Sequence, residues 1–279
     1  MAPPLRDVTV AEIEWRLDEL REHETTSQRT SVLTHTAWVP LEWARAAGRV
    51  LEGMGARVPS RTILLHPDPD ASETRLDAVA EHECFPIGGH ETCAETARIW
   101  LRGETAKAPA SVVMPLQIAD LPAFLRWRGP LPFGSAVLEQ LVECHDRLIV
   151  DSSEWGDRPS SAYRRLPEFF HRIAVSDLAW ARGLPFRAGL ADLWPFEAKA
   201  LHVRGPRADA TLLQSWLRSR LKKDVKLHRE DARELRSVQI DGVPVRIRRR
   251  HMRSGSDLLS DELEVFTRDP IYEAAVRSV

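Results

Sequence analysis

The feature that most constrains this chain is an ordered alternation close to its start. Residues 31–39 are rich in β-formers and end at Pro40, residues 41–54 carry helix formers, and residues 59–66 (PSRTILLH) are β-rich again and stop at Pro67. Strand, helix, strand is the repeating unit of a parallel sheet, and its crossover is right-handed in nearly all known cases. A helix precedes the unit. Thr9 with Glu12 three residues on is a capping-box pattern, and Val10, Ile13, Leu17 and Leu20 then recur at helical spacing.

The alternation continues. Residues 76–85 and 91–101 flank the glycine-containing PIGGH and predict a hairpin, although Ala94, Ala97 and Leu101 in the second run also fit helical spacing. Helices are expected over 104–117 and 134–144, strands over 122–127 and 147–152, and a helical stretch over 160–193 broken near Pro185. After residue 195 the order changes to strand (198–204), helix (208–222) and strands near 224–228, 235–241 and 243–249, the last two turning at Asp241-Gly242. A further strand is expected over 258–266. The fold class is therefore α/β: a layered α/β N-terminal domain with a Rossmann-like sheet over residues 1–195, then a smaller α+β domain over 196–279.

Charge supports two units. The 279 residues carry a net charge of −2, but residues 196–279 hold 18 Lys+Arg against 13 Asp+Glu, which leaves 21 against 28 for the first part. An acidic part joined to a basic one implies different surfaces. No apolar run approaches the roughly 18 residues of a membrane span, and residues 1–5 form no signal core, so the expected location is cytoplasmic, with no membrane partner.

Catalytic and cofactor motifs are missing. The sequence has no Walker loop, no G-x-G-x-x-G after a strand, no G-x-S-x-G elbow and no H-E-x-x-H. No catalytic residue, cofactor or metal is assigned. Ser135 at a helix start is read as an N-cap. His82, Cys84, His90 and Cys93 surround the hairpin turn. Inert reduced thiols are the first reading, a redox-responsive Cys84–Cys93 pair the second and a tetrahedral metal site the third. Arg246, Arg248, Arg249, Arg250 and His251 form the densest basic run. A solvated strand face explains it more simply than nucleic acid, for which no binding motif is present.

Four segments taken in order give a resemblance. They are Pro59-Ser60-Arg61 opening a strand, SVVMPLQIADLPAFLRWRG over 111–129, DRLIVDSSEW over 146–155 and SDLAWARGLPFRAGLADLW over 176–194. Together they resemble the OpcA family of glucose-6-phosphate dehydrogenase assembly proteins. Family members often carry a tryptophan pair where this chain has Arg126-Trp127, and Trp-Arg where it has Phe186-Arg187.

The resemblance implies a non-catalytic cytoplasmic protein that binds glucose-6-phosphate dehydrogenase of the oxidative pentose phosphate pathway, supports its assembly and activates it allosterically. Within the resembling segments, Arg61, Trp127, Arg147, Asp177, Trp180, Arg182 and Arg187 are the candidate partner-binding residues, because Trp and Arg are enriched at interface hot spots. Two plainer readings stand beside this one: each Trp as core, and Asp177 and Arg182 as internal caps and ion pairs. An enzyme of unknown reaction on an α/β fold, and nucleic-acid binding through the basic C-terminal part, are the alternative functions.

Overall fold

In a computed structural model the described residues are 4–22, 31–51, 54, 57–87, 90–194, 198–247 and 253–279. They form two compact units, one of Met1–Ile149 with Gly255–Phe266, the other of Val150–Ser254 with Thr267–Val279. This division differs from the expected cut after residue 195, because the elements from residue 150 to 195 pack with those that follow them.

The first unit opens with α1 (Val10–Glu22). Its capping box is formed: the Thr9 N–H donates to Glu12 Oε2 at 2.7 Å and the Glu12 N–H to Thr9 Oγ1 at 3.3 Å. The expected strand, helix, strand unit follows as β1 (Leu33–Trp38), α2 (Ala44–Leu51) and β2 (Ser60–Asp68). The hairpin is β3 (Arg75–Ile87) with β4 (His90–Arg102), and α3 (Pro109–Leu116), β5 (Ala123–Trp127), α4 (Ala136–Glu143) and β6 (Arg147–Val150) complete the run.

The strands of this unit lie in the order β3-β4-β2-β1-β5-β6. All neighbours are parallel except β3 with β4. Every residue of β1, β5 and β6 is buried, which is how a parallel strand covered on both faces reads. Helices α1, α3 and α4 pack side by side, and α2 packs with the helix Gly255–Leu263. Ser256 Oγ ties that helix to the Val50 carbonyl at 2.6 Å. A strand was expected over 258–266. Leu258, Leu259 and Leu263 are instead buried along one side of a helix, a spacing that a nine-residue window of mixed apolar and acidic residues does not separate from alternation.

The second unit contains α5 (Pro159–Arg165), β7 (Ala174–Asp177), α6 (Leu178–Arg182) and α7 (Leu184–Ala191). A βαβ unit follows, β8 (Ala200–Arg204), α8 (Arg207–Leu221) and β9 (Lys226–Glu230). Next come β10 (Ser237–Ile240) and the short β11 (Val243–Pro244). In chain order α9 is the helix Gly255–Leu263 of the first unit, and α10 (Pro270–Val276) closes the second. The small sheet has the order β11-β10-β8-β9 and packs Leu201, Val203 and Val238 against Leu213 and Leu217 of α8. Its hairpin turns where expected, with Asp241 and Gly242 both at positive φ, the pair of left-handed residues that a tight turn of this type requires. Arg248, Arg249, Arg250 and His251 lie outside the described residues.

Candidate partner-binding site

Open α/β sheets hold ligands at the carboxyl ends of their strands, where the strand order reverses. Here β2 and β5 flank β1, so the reversal falls between β1 and β5. The register sets Trp38 beside Trp127 at that point, and their indoles stack with centroids 5.2 Å apart and planes 16° apart. The Arg128 guanidinium lies 5.0 Å from the centre of the Trp43 ring. Gly129 has φ +81°, and a Cβ there would stand 3.0 Å from Trp43 Nε1; glycine meets both demands. Buried indoles thus occupy the place where this architecture elsewhere opens a binding crevice. Trp127, a candidate contact from sequence, is 3% exposed and belongs to this packing.

Arg61 is buried as well, at 1% exposure. It is the register partner of Glu95 on the neighbouring strand, and its Nε donates to Glu95 Oε2 at 2.6 Å. One terminal nitrogen reaches Glu14 on α1 at 3.3 Å and the Leu116 carbonyl at the end of α3 at 3.2 Å. Arg21 on α1 reaches Glu95 from the other side at 3.3 Å. One buried guanidinium therefore holds two helices against the sheet, a use suited to its forked geometry.

Each of those two helices carries an exposed large apolar side chain. Trp15 on α1 is 65% exposed and Met114 on α3 is 59% exposed, on helices that pack against each other. Ile13 and Leu17 face inward on either side of Trp15, and alternate residues of a helix point to different sides. Tryptophan heads the residue types found at hot spots, and methionine adapts to irregular partner surfaces. The sequence reading passed over both, since the helical spacing of α1 draws attention to its buried stripe. A tryptophan outside that stripe was the available signal.

The other candidates are internal too. Arg147 is buried in β6 beside Phe124 of β5. In the second unit Asp177 ends β7 and caps α6. The Asp177 carboxylate accepts from the Ala179 N–H at 2.9 Å and the Ser152 N–H at 3.0 Å. Burial, and then the nearby Asp151 charge, push its pKa up to about 7. Arg182 bridges Asp151 and Asp209, each at 3.0 Å; burial opposes its charge, but the two carboxylates hold it protonated. Asp209 escaped the sequence reading because it stands mid-sequence with no motif. Trp180 donates to Asp269 at 2.8 Å. Arg187 lies over the Trp180 ring, 3.3 Å from its centre, and donates to the Trp180 carbonyl at 2.6 Å. Arg187 is buried and Arg182 half-buried, each drawn inward by partners that the fold supplies.

Cys84 and Cys93 sit directly opposite each other on β3 and β4 and are joined by a disulfide, their Cα atoms 4.0 Å apart. The expected reduced thiols are replaced by a bond that the hairpin register makes available. His82 Nδ1 lies 3.9 Å from Cys84 Sγ. The side chain of His90 lies outside the described residues.

Residues 53–167 match the family described as the glucose-6-phosphate dehydrogenase subunit N-terminal domain, OpcA type. Over these residues the chain is similar to the OpcA family. Comparison with curated proteins finds no match. The OpcA match runs from β2 through α5 and so contains Arg61, Glu95, Leu116 and Met114, while Glu14 and Trp15 precede it. It supports a role in glucose-6-phosphate dehydrogenase assembly or activation. Among the described residues no helix is long and apolar enough to cross a membrane.

Proposed function

We propose that this chain is a non-catalytic, cytoplasmic assembly factor and activator that binds glucose-6-phosphate dehydrogenase through α1 and α3. The OpcA-family match over residues 53–167 carries the reading. Each helix presents one exposed apolar side chain for such a contact, Trp15 on α1 and Met114 on α3. A partner of this kind activates by binding the active form of the dehydrogenase more tightly than the inactive form. The contribution of Arg61 is positional: through Glu14 and the Leu116 carbonyl it fixes the helices that bear the contact residues. Trp127 and Arg147 stiffen the sheet beneath, and Asp177, Trp180, Arg182 and Arg187 order the second unit.

Co-purification tests the proposal. The tagged chain mixed with glucose-6-phosphate dehydrogenase of the same organism is expected to elute as one complex of fixed stoichiometry. Separate elution at micromolar concentrations of both would overturn it.

A further inference from the structure

The second unit contains a groove of about 470 Å³ between α5, α8 and β9, and four arginines line it: Arg164, Arg207, Arg218 and Arg229. We propose that this groove binds a phosphate dianion, either free or as the phosphomonoester head of a small molecule. The inference does not rest on the dehydrogenase reading.

Three elements converge by their own periodicities. On α8 the lining residues Arg207, Thr211 and Arg218 fall at i, i+4 and i+11, a single stripe of the helix. On α5 Ser160 and Arg164 are one turn apart, and Arg229 on β9 completes the ring. The opposite side of α8 is apolar and packs Leu213 and Leu217 into the core. The helix therefore offers the groove its polar stripe.

The charges are incompletely answered. No acidic side chain lines the groove. Arg218 and Arg229 pair with Asp224 and Asp231, both at least 80% exposed and outside the lining. Among the described residues Arg164 and Arg207 form no ion pair, and both are exposed. The Nε of Arg218 is buried with no hydrogen-bond partner among the described residues, although a buried donor is normally satisfied. An anion with several acceptor oxygens meets that need, and phosphate accepts forked guanidinium bonds while spreading two charges over them. The volume is that of a small-molecule site and not of a nucleic-acid track.

Isothermal titration of the full chain at constant ionic strength tests this, with ribose 5-phosphate and inorganic phosphate as probes and succinate as a dicarboxylate control. Saturable binding of ribose 5-phosphate or of inorganic phosphate is expected, and whichever binds more tightly identifies the source. An Arg164→Ser/Arg207→Ser double variant should weaken it by at least about tenfold, as the loss of charge-assisted hydrogen bonds requires. Its melting temperature without ligand should match the wild type, because both side chains are exposed. Binding unchanged in the double variant, binding of succinate as tight as that of phosphate, or no saturable binding of either phosphate probe would overturn the proposal.

Discussion

Arg61 and Glu95 are neighbours in register on β2 and β4, and the 2.6 Å bond between them is buried on both sides. The pair lies under α1 and α3, so the surface proposed for the dehydrogenase is set by an ion pair that the partner never touches. Arg61→Ala leaves Glu95 buried, with Arg21 at 3.3 Å as its remaining cation. We expect a loss of ~3–5 kcal/mol in urea unfolding, the usual cost of stranding one member of a buried pair. Arg61→Lys should recover only a minor part, since a single ammonium cannot serve Glu95, Glu14 and the Leu116 carbonyl together.

The stacked indoles at the carboxyl edge give a second expectation. Trp38 and Trp127 are 7% and 3% exposed, and Trp127→Ala should cost ~3–5 kcal/mol, as truncation of a large core side chain does. Trp127→Phe, which keeps a ring against Trp38, should cost clearly less. Equal losses in chemical denaturation would show that stacking contributes nothing beyond volume.

Asp177 makes stability depend on pH in a defined direction. With its pKa raised to about 7 in the fold, the folded chain keeps a proton that the unfolded chain releases near pH 4. That contribution is fully present below pH 4 and disappears as pH rises through 7. His35 and His145 act oppositely: burial lowers them to about 3 and about 4, so their contribution is full above pH 6.5 and declines as pH falls. Asp177→Asn keeps an acceptor for the Ser152 and Ala179 N–H groups and removes the titration. Melting curves should therefore show the variant gaining on the wild type between pH 4 and 7, with a constant difference above pH 7.5. A difference independent of pH would contradict the assignment.

Much of the first unit was legible in the sequence. The capping box at Thr9, the β1-α2-β2 unit and the β3–β4 hairpin all rest on local chemistry that tertiary packing has no reason to override, and so does the turn at Asp241 in the second unit. Elements too short for a period to appear were not legible: β7 has four residues inside a stretch that otherwise reads as helix, and α10 has seven. The fate of the arginines was hidden for a different reason. Composition rules put Arg outside, and only the register that sets Arg61 beside Glu95, or the fold that brings Asp151 and Asp209 to Arg182, shows that Arg61 is interior and Arg182 half-buried.

The Cys84–Cys93 disulfide closes a short loop at the end of a hairpin already paired along its length. Its removal by Cys84→Ser/Cys93→Ser should cost about 2.6 kcal/mol, as expected for a loop of this size, and leave the circular dichroism spectrum unchanged. Loss of the spectrum would show that the hairpin depends on the bond.

The central claim is tested most directly by titrating glucose-6-phosphate dehydrogenase activity with this chain and with its Trp15→Ala variant. We predict saturable activation by the wild type, no turnover by the chain alone, and a midpoint at least about tenfold higher for Trp15→Ala, the effect of removing a hot-spot tryptophan, with its melting temperature unchanged. Activation that is absent with the wild type, or identical with both proteins, would contradict the account.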